Sequence, residues 1–581
     1  MRRESTHPST SLLRRLPASE ATGKRTGARH RLVTIYHRRD LIVLGLGVMI
    51  GAGIFTIAGR QAASMAGPGV ILSFMIAGIC SLLAAFCYAE LTSTIPASGS
   101  AYTFTYVIFG ELWAWVIGWS LILEMMLAAS VVARAWSLIF GRFLTDLNVA
   151  VPAPLAGVVG QVEGFDLPSL VILALLTGIV ALGARFGLRT LWLIVCLKLI
   201  AIGGVIVFGV RHIDPANLAA IPAPEAPAPE EARDTLHTTI IGLLVGETDA
   251  FGWYGILAAT PAIVFAYIGW DIVATAAEET IEPRRTMPEG MIRSLVLTTV
   301  IYIAVAVVMV GMVPYTRIDP ETPLASAFRL VGDDFMVHVI NIGGVLGLTT
   351  VILVLLVGQT RIVFSMARDG LLPRSLSRLS RWRSPSTATL VLGGCAMVLA
   401  QTVPVFALEQ LVVIGTLFAF LFVAIGVIAM NRSMPDLPRG FRTPMQPFVP
   451  ALSAATTLWL MLNLQVFTWL AFAVWMAAGL LIYLAYGRRH SMLAPGAYHE
   501  PPPEPRPRPE PWRRSPRGPG YGLGSDPGHG PGPGYGPDPG YGPGPGSGYG
   551  PGSGHGPGTP PGGGRSGPPP PRRPGRGRHR R

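Results

Sequence analysis

Charged residues are scarce in this sequence. Asp, Glu, Lys and Arg make up 14% of the 581 residues, against about 25% in soluble domains, and half of all residues are hydrophobic. The net charge of +13 is concentrated at the two ends, because residues 41–489 are nearly neutral whereas residues 1–40 and 490–581 each carry an excess of seven positive charges. A chain without an interior basic face is not expected to bind nucleic acid.

Cysteines and the common ligand patterns are also scarce. The four cysteines, Cys80, Cys87, Cys196 and Cys395, lie in apolar runs, and the eleven histidines show no metal-ligand spacing. There is no Walker motif, and Gly45-x-Gly47 lacks the third glycine of a dinucleotide fingerprint. We therefore expect no metal, no cofactor and no enzyme activity. The first 40 residues have no apolar core segment, so no secretory signal peptide is expected there.

Apolar stretches long enough to cross a bilayer dominate the rest of the chain. About 20 residues at 1.5 Å each span about 30 Å of hydrocarbon. Twelve such stretches cover residues 41–60, 68–92, 111–139, 168–184, 187–210, 254–278, 291–313, 337–364, 387–404, 408–430, 447–466 and 468–487. The loops on the side of the N-terminus hold 25 Lys and Arg, and the loops on the other side hold six. The apolar stretches predict an all-α integral protein of the plasma membrane with twelve transmembrane helices. The asymmetry of Lys and Arg predicts that both termini lie in the cytoplasm.

The composition divides the chain into three predicted parts. These are a basic cytoplasmic segment over residues 1–40, a membrane core over 41–489, and a tail over 490–581. Residues 491–581 contain 26 Gly and 26 Pro, which cannot form a hydrophobic core. Glycine does not recur at every third position, which excludes a collagen helix. We expect a disordered cytoplasmic tail.

Glycines interrupt the first apolar stretch near its middle. Gly47, Gly51 and Gly53 lie close together, and each glycine costs about 1 kcal/mol in a helix relative to alanine. One interpretation is close helix packing through the pair Gly47 and Gly51. The other is a broken helix whose second half begins near Ile54. Free backbone N–H groups at such an end can bind a carboxylate without a basic side chain.

The sixth stretch carries a similar interruption, with Pro261, Gly269 and Asp271 in one apolar run. Asp271 is expected near the N-terminus of a restarted half-helix, where a carboxylate is either a cap or a site residue. The two interruptions occupy equivalent positions in two five-helix units, residues 41–210 and 254–430. An odd number of helices gives these units opposite orientations in the membrane. Paired interruptions in an inverted repeat indicate the central binding site of a transporter.

Two charged residues, Glu124 and Lys198, lie inside apolar stretches. Lys198 is about 17 Å from either interface at 1.5 Å per residue, so snorkelling cannot bring its charge to water. A charge at this depth costs about 2.5 to 3.5 kcal/mol and should face the interior of the bundle. Lys198 is either a static tether to a carbonyl or a group that exchanges a proton. Glu124 either forms a structural hydrogen bond between helices or belongs to a binding site.

Seven short motifs occur in a set order between residues 40 and 487. They are Ile50-Gly-Ala-Gly-Ile-Phe55, Tyr88-Ala-Glu-Leu91, Pro96-Ala-Ser-Gly-Ser-Ala-Tyr102, Gly118-Trp-Ser-Leu-Ile-Leu-Glu124, Phe265-Ala-Tyr-Ile-Gly269 with Asp271, Ala277-Glu-Glu279 and Arg368-Asp-Gly-Leu-Leu-Pro373. In this order they resemble the amino acid/polyamine/organocation superfamily and, within it, the cationic amino acid transporter family. Val264 and Trp270 depart from the pattern, since phenylalanine is usual at both positions.

The resemblance implies a LeuT-type five-plus-five inverted repeat with broken helices 1 and 6 and two extra helices over residues 447–487. It also implies backbone sites for the two charged groups of an amino acid, an aromatic gate at Phe265, two acids lining the site, and a proton-coupling lysine. The residues implied are Ile50, Gly51, Ala52, Gly53 and Ile54 for the carboxylate, Phe265, Ala266, Tyr267 and Ile268 for the amino group, the acids Glu124 and Asp271, and Lys198 for the proton.

Taken together, these features predict an amino acid permease that works by alternating access. We expect proton-coupled uptake of cationic or small neutral L-amino acids, with the amino acid, the proton and membrane lipid as partners. Two alternatives stay open. An exchanger would move no net proton, and a non-transporting amino acid sensor would use its tail as the signalling output.

Overall fold

Helices account for nearly all regular structure in a computed structural model of the chain. The structure describes residues 14–21, 34–147, 149, 157–161, 164–183, 188–219, 236–245, 250–380 and 384–494. Within these ranges, extended pairing is limited to two isolated bridges, Tyr36 with Thr280 and Thr239 with Gln465. The predicted all-α class is confirmed for this part of the chain.

All main helices except Ala101–Ile108 lie largely within the apolar stretches of the sequence. In chain order they are α1 (Arg38–Met49), α2 (Val70–Thr94), α3 (Ala101–Ile108), α4 (Glu111–Asp146), α5 (Leu167–Ala181), α6 (Leu188–Gly209), α7 (Gly252–Tyr267), α8 (Ile272–Thr275), α9 (Pro283–Met312), α10 (Asp334–Arg368), α11 (Ser386–Thr402), α12 (Val405–Ser433), α13 (Phe448–Leu462) and α14 (Val466–Ile482). Short helical segments cover Ala18–Ala21, Gly53–Ile57, Ala58–Gln61, Ala62–Ala66, Gly67–Gly69, Val210–His212, Pro215–Leu218, Ile240–Val245, Ala277–Glu279, Tyr315–Arg317, Pro323–Leu330, Arg374–Ser377, Tyr483–Gly487 and Arg488–His490.

The outer surface of this helical bundle is suited to lipid. Among the described residues, eight helical segments are long and apolar enough to cross a membrane, and one of them, Arg38–Thr94, contains both α1 and α2. The apolar helices α5, α11 and α13 are shorter. Large apolar side chains face outward, as Ile200 and Leu481 show with 70% and 68% of their surface exposed. Only a bilayer makes such exposure favourable along whole helices. That twelve helices cross it stays a prediction.

The helices form two groups that meet in the middle of the bundle. In the first group, α9 packs against α1 and α2, and α7 packs against α2. In the second group, α4 packs against α10, α11 and α12, and α10 also contacts α6. The segment Gly53–Ile57 lies against α7, and α8 contacts both α9 and α10. The interrupted helices therefore lie where the two groups come together.

Several predictions about the ends of the chain concern residues outside the described part. The Gly- and Pro-rich tail is outside it from residue 495 onward, as is most of the segment 1–40. All described residues belong to one unit, Met1–Glu504. The division of the core into two inverted repeats stays a prediction.

Candidate functional site

The first interrupted helix breaks at Ile50 and Gly51. Helix α1 ends at Met49, Ile50 has a non-helical ψ of 88°, and helical structure resumes at Gly53. Gly53 is required by close packing, because a Cβ at this position would lie 2.2 Å from Ala266 Cα. The predicted break is present.

The packing interpretation of the same glycines also holds. A Cβ on Gly47 would lie 3.1 Å from Val195, and a Cβ on Gly51 would lie 2.8 Å from Val351. Small residues therefore bring α6 and α10 against the break, so the two interpretations of this segment do not exclude each other.

The second interrupted helix breaks between Tyr267 and Ile272. Helix α7 ends at Tyr267, and Gly269 has a φ of +126°, a conformation that residues with a Cβ rarely adopt. Asp271 Oδ1 accepts a hydrogen bond from the Gly269 N–H at 3.0 Å. The carboxylate thus closes the turn that precedes α8. Asp271 stands at the predicted N-cap position of α8, but its side chain makes no capping bond to the N–H groups of that helix.

A small cavity lies between the two breaks. Its volume of about 20 Å³ has room for about one water molecule. The wall is apolar on nearly every side and is formed by Val48, Met49, Ala52, Gly53, Ala128, Val132, Phe265, Ala266, Ile268, Val351 and Leu355. Five residues predicted to bind substrate, Ala52, Gly53, Phe265, Ala266 and Ile268, therefore meet at one place.

The remaining backbone positions of the prediction lie beside this cavity. Ile50 and Gly51 form the first break itself. The N–H of Ile54 donates to Gly51 O at 3.2 Å, so it is already used. The side chain of Tyr267 faces α2, where its hydroxyl donates to Phe74 O at 3.0 Å. Gly51, Ala52 and Gly53 open the restarted helix, where N–H groups lack intrahelical acceptors.

Lys198 lies in the interior of the bundle, in the middle of α6, and its side chain is fully buried. Its ammonium donates to Gly47 O at 2.7 Å and Ile50 O at 3.0 Å, which are carbonyls of the first break. It also donates to Thr350 Oγ1 at 3.1 Å on α10. Lys198 therefore tethers the first break to the second group of helices.

A cluster that we call the polar layer contains Glu124, Asp271, Tyr88 and Trp270. All four are at most 2% exposed. Both carboxylate oxygens of Glu124, the Tyr88 hydroxyl and the Trp270 indole N–H have no hydrogen-bond partner among the described residues. The Tyr88 and Trp270 rings pack edge-on with centroids 5.1 Å apart, and the charges of Glu124 and Asp271 are close enough to interact.

The surroundings of Glu124 bear on its two interpretations. A structural bond between helices requires a partner, and the nearby Thr416 hydroxyl already donates to Val412 O at 3.0 Å. Buried polar groups without partners are rare and usually indicate bound water or a ligand. The carboxyl of Glu124 thus lacks a close hydrogen bond among the described residues but is near enough to Thr416 of α12 to interact with it, so both interpretations stay open.

The polar layer adjoins the cavity on the side where α1 begins. Glu124 precedes the cavity residue Ala128 by one helical turn on α4, and Asp271 follows the cavity residue Ile268. Gln359, whose amide is also unpartnered within the described ranges, follows Leu355 by one turn on α10. The site therefore has an apolar part and a polar part.

Partly buried ion pairs lie at both ends of the helical bundle. Where α1 begins, Arg361 pairs with Glu279 at 2.8 Å and Arg368 pairs with Glu278 at 3.4 Å, which connects α10 to the segment after α8. At the opposite end, Arg60 pairs with Glu409 on α12. Ion pairs thus connect helices on either side of the cavity along the bundle.

Sequence reasoning missed two residues that hold the breaks. Thr350 accepts from Lys198, and the Tyr302 hydroxyl on α9 contacts Met49 O and Ala266 O. Each is one polar residue in an apolar helix, which is common in membrane proteins and carries no signal by itself.

A helical membrane protein with two interrupted helices around one small cavity has the construction of a transporter. The family model described as "Amino acid permease" matches residues 38–486. The chain belongs to this amino acid permease family, and the resemblance to the amino acid/polyamine/organocation superfamily is confirmed.

Similar proteins extend over most of the chain. A methylthioribose transporter of Bacillus subtilis (strain 168) is 40% identical over 457 residues, covering 78% of this chain and 93% of the relative. The branched-chain amino acid permease BcaP of the same organism is 39% identical over 460 residues, with the same coverage of 78% and 93%. Cationic amino acid transporter 3, mitochondrial, of Arabidopsis thaliana is 35% identical over 439 residues, covering 73% and 67%. The family and these relatives are transporters, not enzymes.

Proposed function

We propose that this permease takes up amino acids by alternating access and couples their entry to a proton. The observation that carries the proposal is the meeting of two helix breaks around one cavity, with ion pairs at both ends. Opening the Arg60–Glu409 pair would admit substrate from one side, and opening the Arg361–Glu279 pair would release it on the other.

The proposed topology follows the sequence prediction. Twelve spans in two inverted five-helix repeats, with two extra helices, would place both termini in the cytoplasm and the chain in the plasma membrane. The eight long apolar segments, the double one among them, and the three shorter apolar helices of the described part support this arrangement. In it, the C-terminal end of α10 and the start of α1 face the cytoplasm.

The two charged groups of an amino acid would use the two breaks. Its carboxylate would accept from the N–H groups of Gly51, Ala52 and Gly53 at a positive helix end. Its ammonium would donate to carbonyls around Phe265 and Ile268 at the end of α7, where helix carbonyls lack intrahelical donors. Phe265, which lines the cavity and is 6% exposed, would close over the bound molecule.

The cavity wall favours a neutral aliphatic side chain over a cationic one. Apart from backbone groups it consists of Val, Met, Ala, Phe, Ile and Leu side chains, which cannot solvate a charge. The relative named as a branched-chain amino acid permease supports this choice. The relative named as a cationic amino acid transporter keeps a cationic substrate as a candidate, with Glu124 and Asp271 as its counter-charges.

Lys198 would couple the entry of substrate to the movement of a proton. When protonated, it donates to Gly47 O and Ile50 O and holds the first break against α10. Loss of the proton would weaken these charge-assisted bonds and free the break to move. One inward proton provides about 2.3 kcal/mol per 100 mV, enough for about fiftyfold accumulation of substrate.

The test is uptake by purified protein in liposomes. With an acidic outside, labelled leucine or alanine should accumulate above equilibrium, and a protonophore should abolish accumulation. Lys198→Ala should still exchange internal for external substrate but should no longer accumulate it. Accumulation in Lys198→Ala equal to wild type would refute the coupling role. Counterflow without any pH dependence in the wild type would favour the exchanger, and binding without uptake would favour the sensor.

A second candidate substrate is a methylated thiosugar, as the name of one relative indicates. The observation that favours it is the polar layer, where Glu124, Tyr88 and Trp270 offer unpartnered acceptors and donors beside an apolar cavity. A methylthio group would suit the apolar part, and hydroxyl groups would suit the polar layer. Methylthioribose should then compete with leucine uptake in the same liposomes, and Glu124→Gln should weaken competition more than it weakens leucine uptake.

A further inference from the structure

Tyr302 joins the two helix breaks directly. It lies on α9 with its side chain fully buried. Its hydroxyl contacts Met49 O and lies 3.0 Å from Ala266 O. Met49 is the last residue of α1, and Ala266 is next to the last residue of α7. Carbonyls at helix C-termini lack intrahelical donors, so this hydroxyl satisfies one orphan acceptor at each break.

The position of this hydroxyl is set by its surroundings. The Tyr302 ring packs edge-on against Phe74 and Tyr267, with centroids 5.7 and 5.3 Å away. A tyrosine hydroxyl has only one proton to donate, so the two carbonyls share it. Both carbonyls must therefore stay within reach of one point, which limits the distance between the two breaks.

Steric contacts at the same place restrict the breaks in the other direction. The Gly53 Cα lies against Ala266, and Gly269 lies against Val48, so closely that neither glycine has room for a Cβ. These contacts keep the breaks from moving closer together, and Tyr302 keeps them from moving apart. Lys198 does not replace this function. Its ammonium bonds carbonyls of the first break and, on α10, Thr350 Oγ1 at 3.1 Å and Gly347 O at 3.5 Å, and none of these groups belongs to the second break.

We propose that Tyr302 is a positioning residue that sets the spacing between the two breaks, and with it the spacing of the carboxylate and ammonium subsites. The proposal rests on the proposed function, because it assumes that a zwitterionic substrate bridges the breaks. A zwitterion has a set distance between its charged groups, so a wider gap weakens its binding before it affects the movement of the helices.

The experiment compares Tyr302→Phe with Tyr483→Phe in the liposome uptake assay. Both variants remove one buried hydroxyl from an aromatic ring, but the Tyr483 hydroxyl donates to Glu111 at 3.1 Å, away from the breaks. One intramolecular hydrogen bond corresponds to about a threefold to tenfold change in affinity. Tyr302→Phe should raise the half-saturation concentration for leucine by about this factor and keep the maximal rate within about twofold. Tyr483→Phe should leave both values unchanged.

Two results would overturn the inference. One is an unchanged half-saturation concentration in Tyr302→Phe. The other is an equal rise in both variants, which would mark a general loss of stability. Thermal midpoints of both proteins in detergent provide the comparison of folding. Absence of uptake by the wild type would refute the proposed function instead, and leucine binding, measured by its shift of the thermal midpoint, would then decide on Tyr302 separately.

Discussion

Replacing Gly53 by alanine tests the contact on which the site depends. The new Cβ would lie 2.2 Å from both Cα and Cβ of Ala266, whereas ordinary contacts begin at 3.4 Å. The neighbour at Cα is backbone and cannot rotate away, so the two breaks must separate by more than about 1 Å. Overpacking of this kind costs about 1 to 3 kcal/mol. If that cost falls on the substrate-binding conformation, the half-saturation concentration rises by about 5-fold to 160-fold.

The assay is concentration-dependent uptake of labelled leucine into liposomes, with matched glycine-to-alanine controls. A Cβ on Gly394 in α11 meets no atom within 4 Å, so Gly394→Ala should transport like the wild type. A Cβ on Gly51 meets a Val351 methyl group at 2.8 Å, and this flexible side chain can yield. We therefore expect the impairment to increase from Gly394→Ala through Gly51→Ala to Gly53→Ala.

A second substitution sharpens the test. Ala266→Gly removes a methyl group but leaves the Cα that the new side chain would meet at 2.2 Å. It should therefore not restore uptake to Gly53→Ala. The reasoning is refuted if Gly53→Ala keeps the wild-type half-saturation concentration, or if the three variants show no order. Size-exclusion profiles and thermal midpoints distinguish impaired binding from failure to fold.

Two further outcomes are expected at the ends of the site. Arg361→Met should lower the thermal midpoint by several degrees, because Arg361 and Glu279 are each only 12% exposed and the Glu279 carboxylate loses its partner. Arg38→Met should change the thermal midpoint little, because Arg38 is 49% exposed in its pair with Glu289. Burial raises the pKa of Asp369, just beyond α10, from 3.8 to about 6. The folded state therefore binds this proton more tightly than the unfolded chain. Its stabilising effect is present at pH 4 and is lost as the pH rises through 6, and Asp369→Asn should abolish this part of the pH dependence of the thermal midpoint. Equal midpoints for the two arginine variants, or an identical pH profile for Asp369→Asn, would contradict these expectations.

The helix breaks could be located from the sequence because their causes are local. Gly51, Gly53 and Gly269 weaken helical structure wherever they occur, and three glycines with a proline in otherwise uniform apolar runs are conspicuous. Burial of Lys198 could also be predicted, since its distance from either end of an apolar stretch follows from the rise of a helix. Both features depend only on neighbours along the chain.

The partners of these residues could not be predicted, because they come from distant segments. Tyr302 meets carbonyls that are 253 and 36 residues away, and Thr350 meets an ammonium 152 residues away. One hydroxyl in an apolar helix is equally compatible with several rotations of that helix. The sequence therefore left open which helix Glu124 faces, and only packing showed that its carboxyl lies near Thr416 of α12 and near Asp271.

The sequence by itself determined that the chain is helical, suited to lipid and interrupted at two points, because hydrocarbon permits few backbone structures and glycine and proline act locally. The tertiary structure decided which groups the interruptions bring together. A cavity, a tether from Lys198 and a shared Tyr302 hydroxyl arise only when helices from both halves of the chain pack at particular rotations and depths. Those rotations depend on the sum of many weak contacts between side chains far apart in the sequence, and no short motif encodes them.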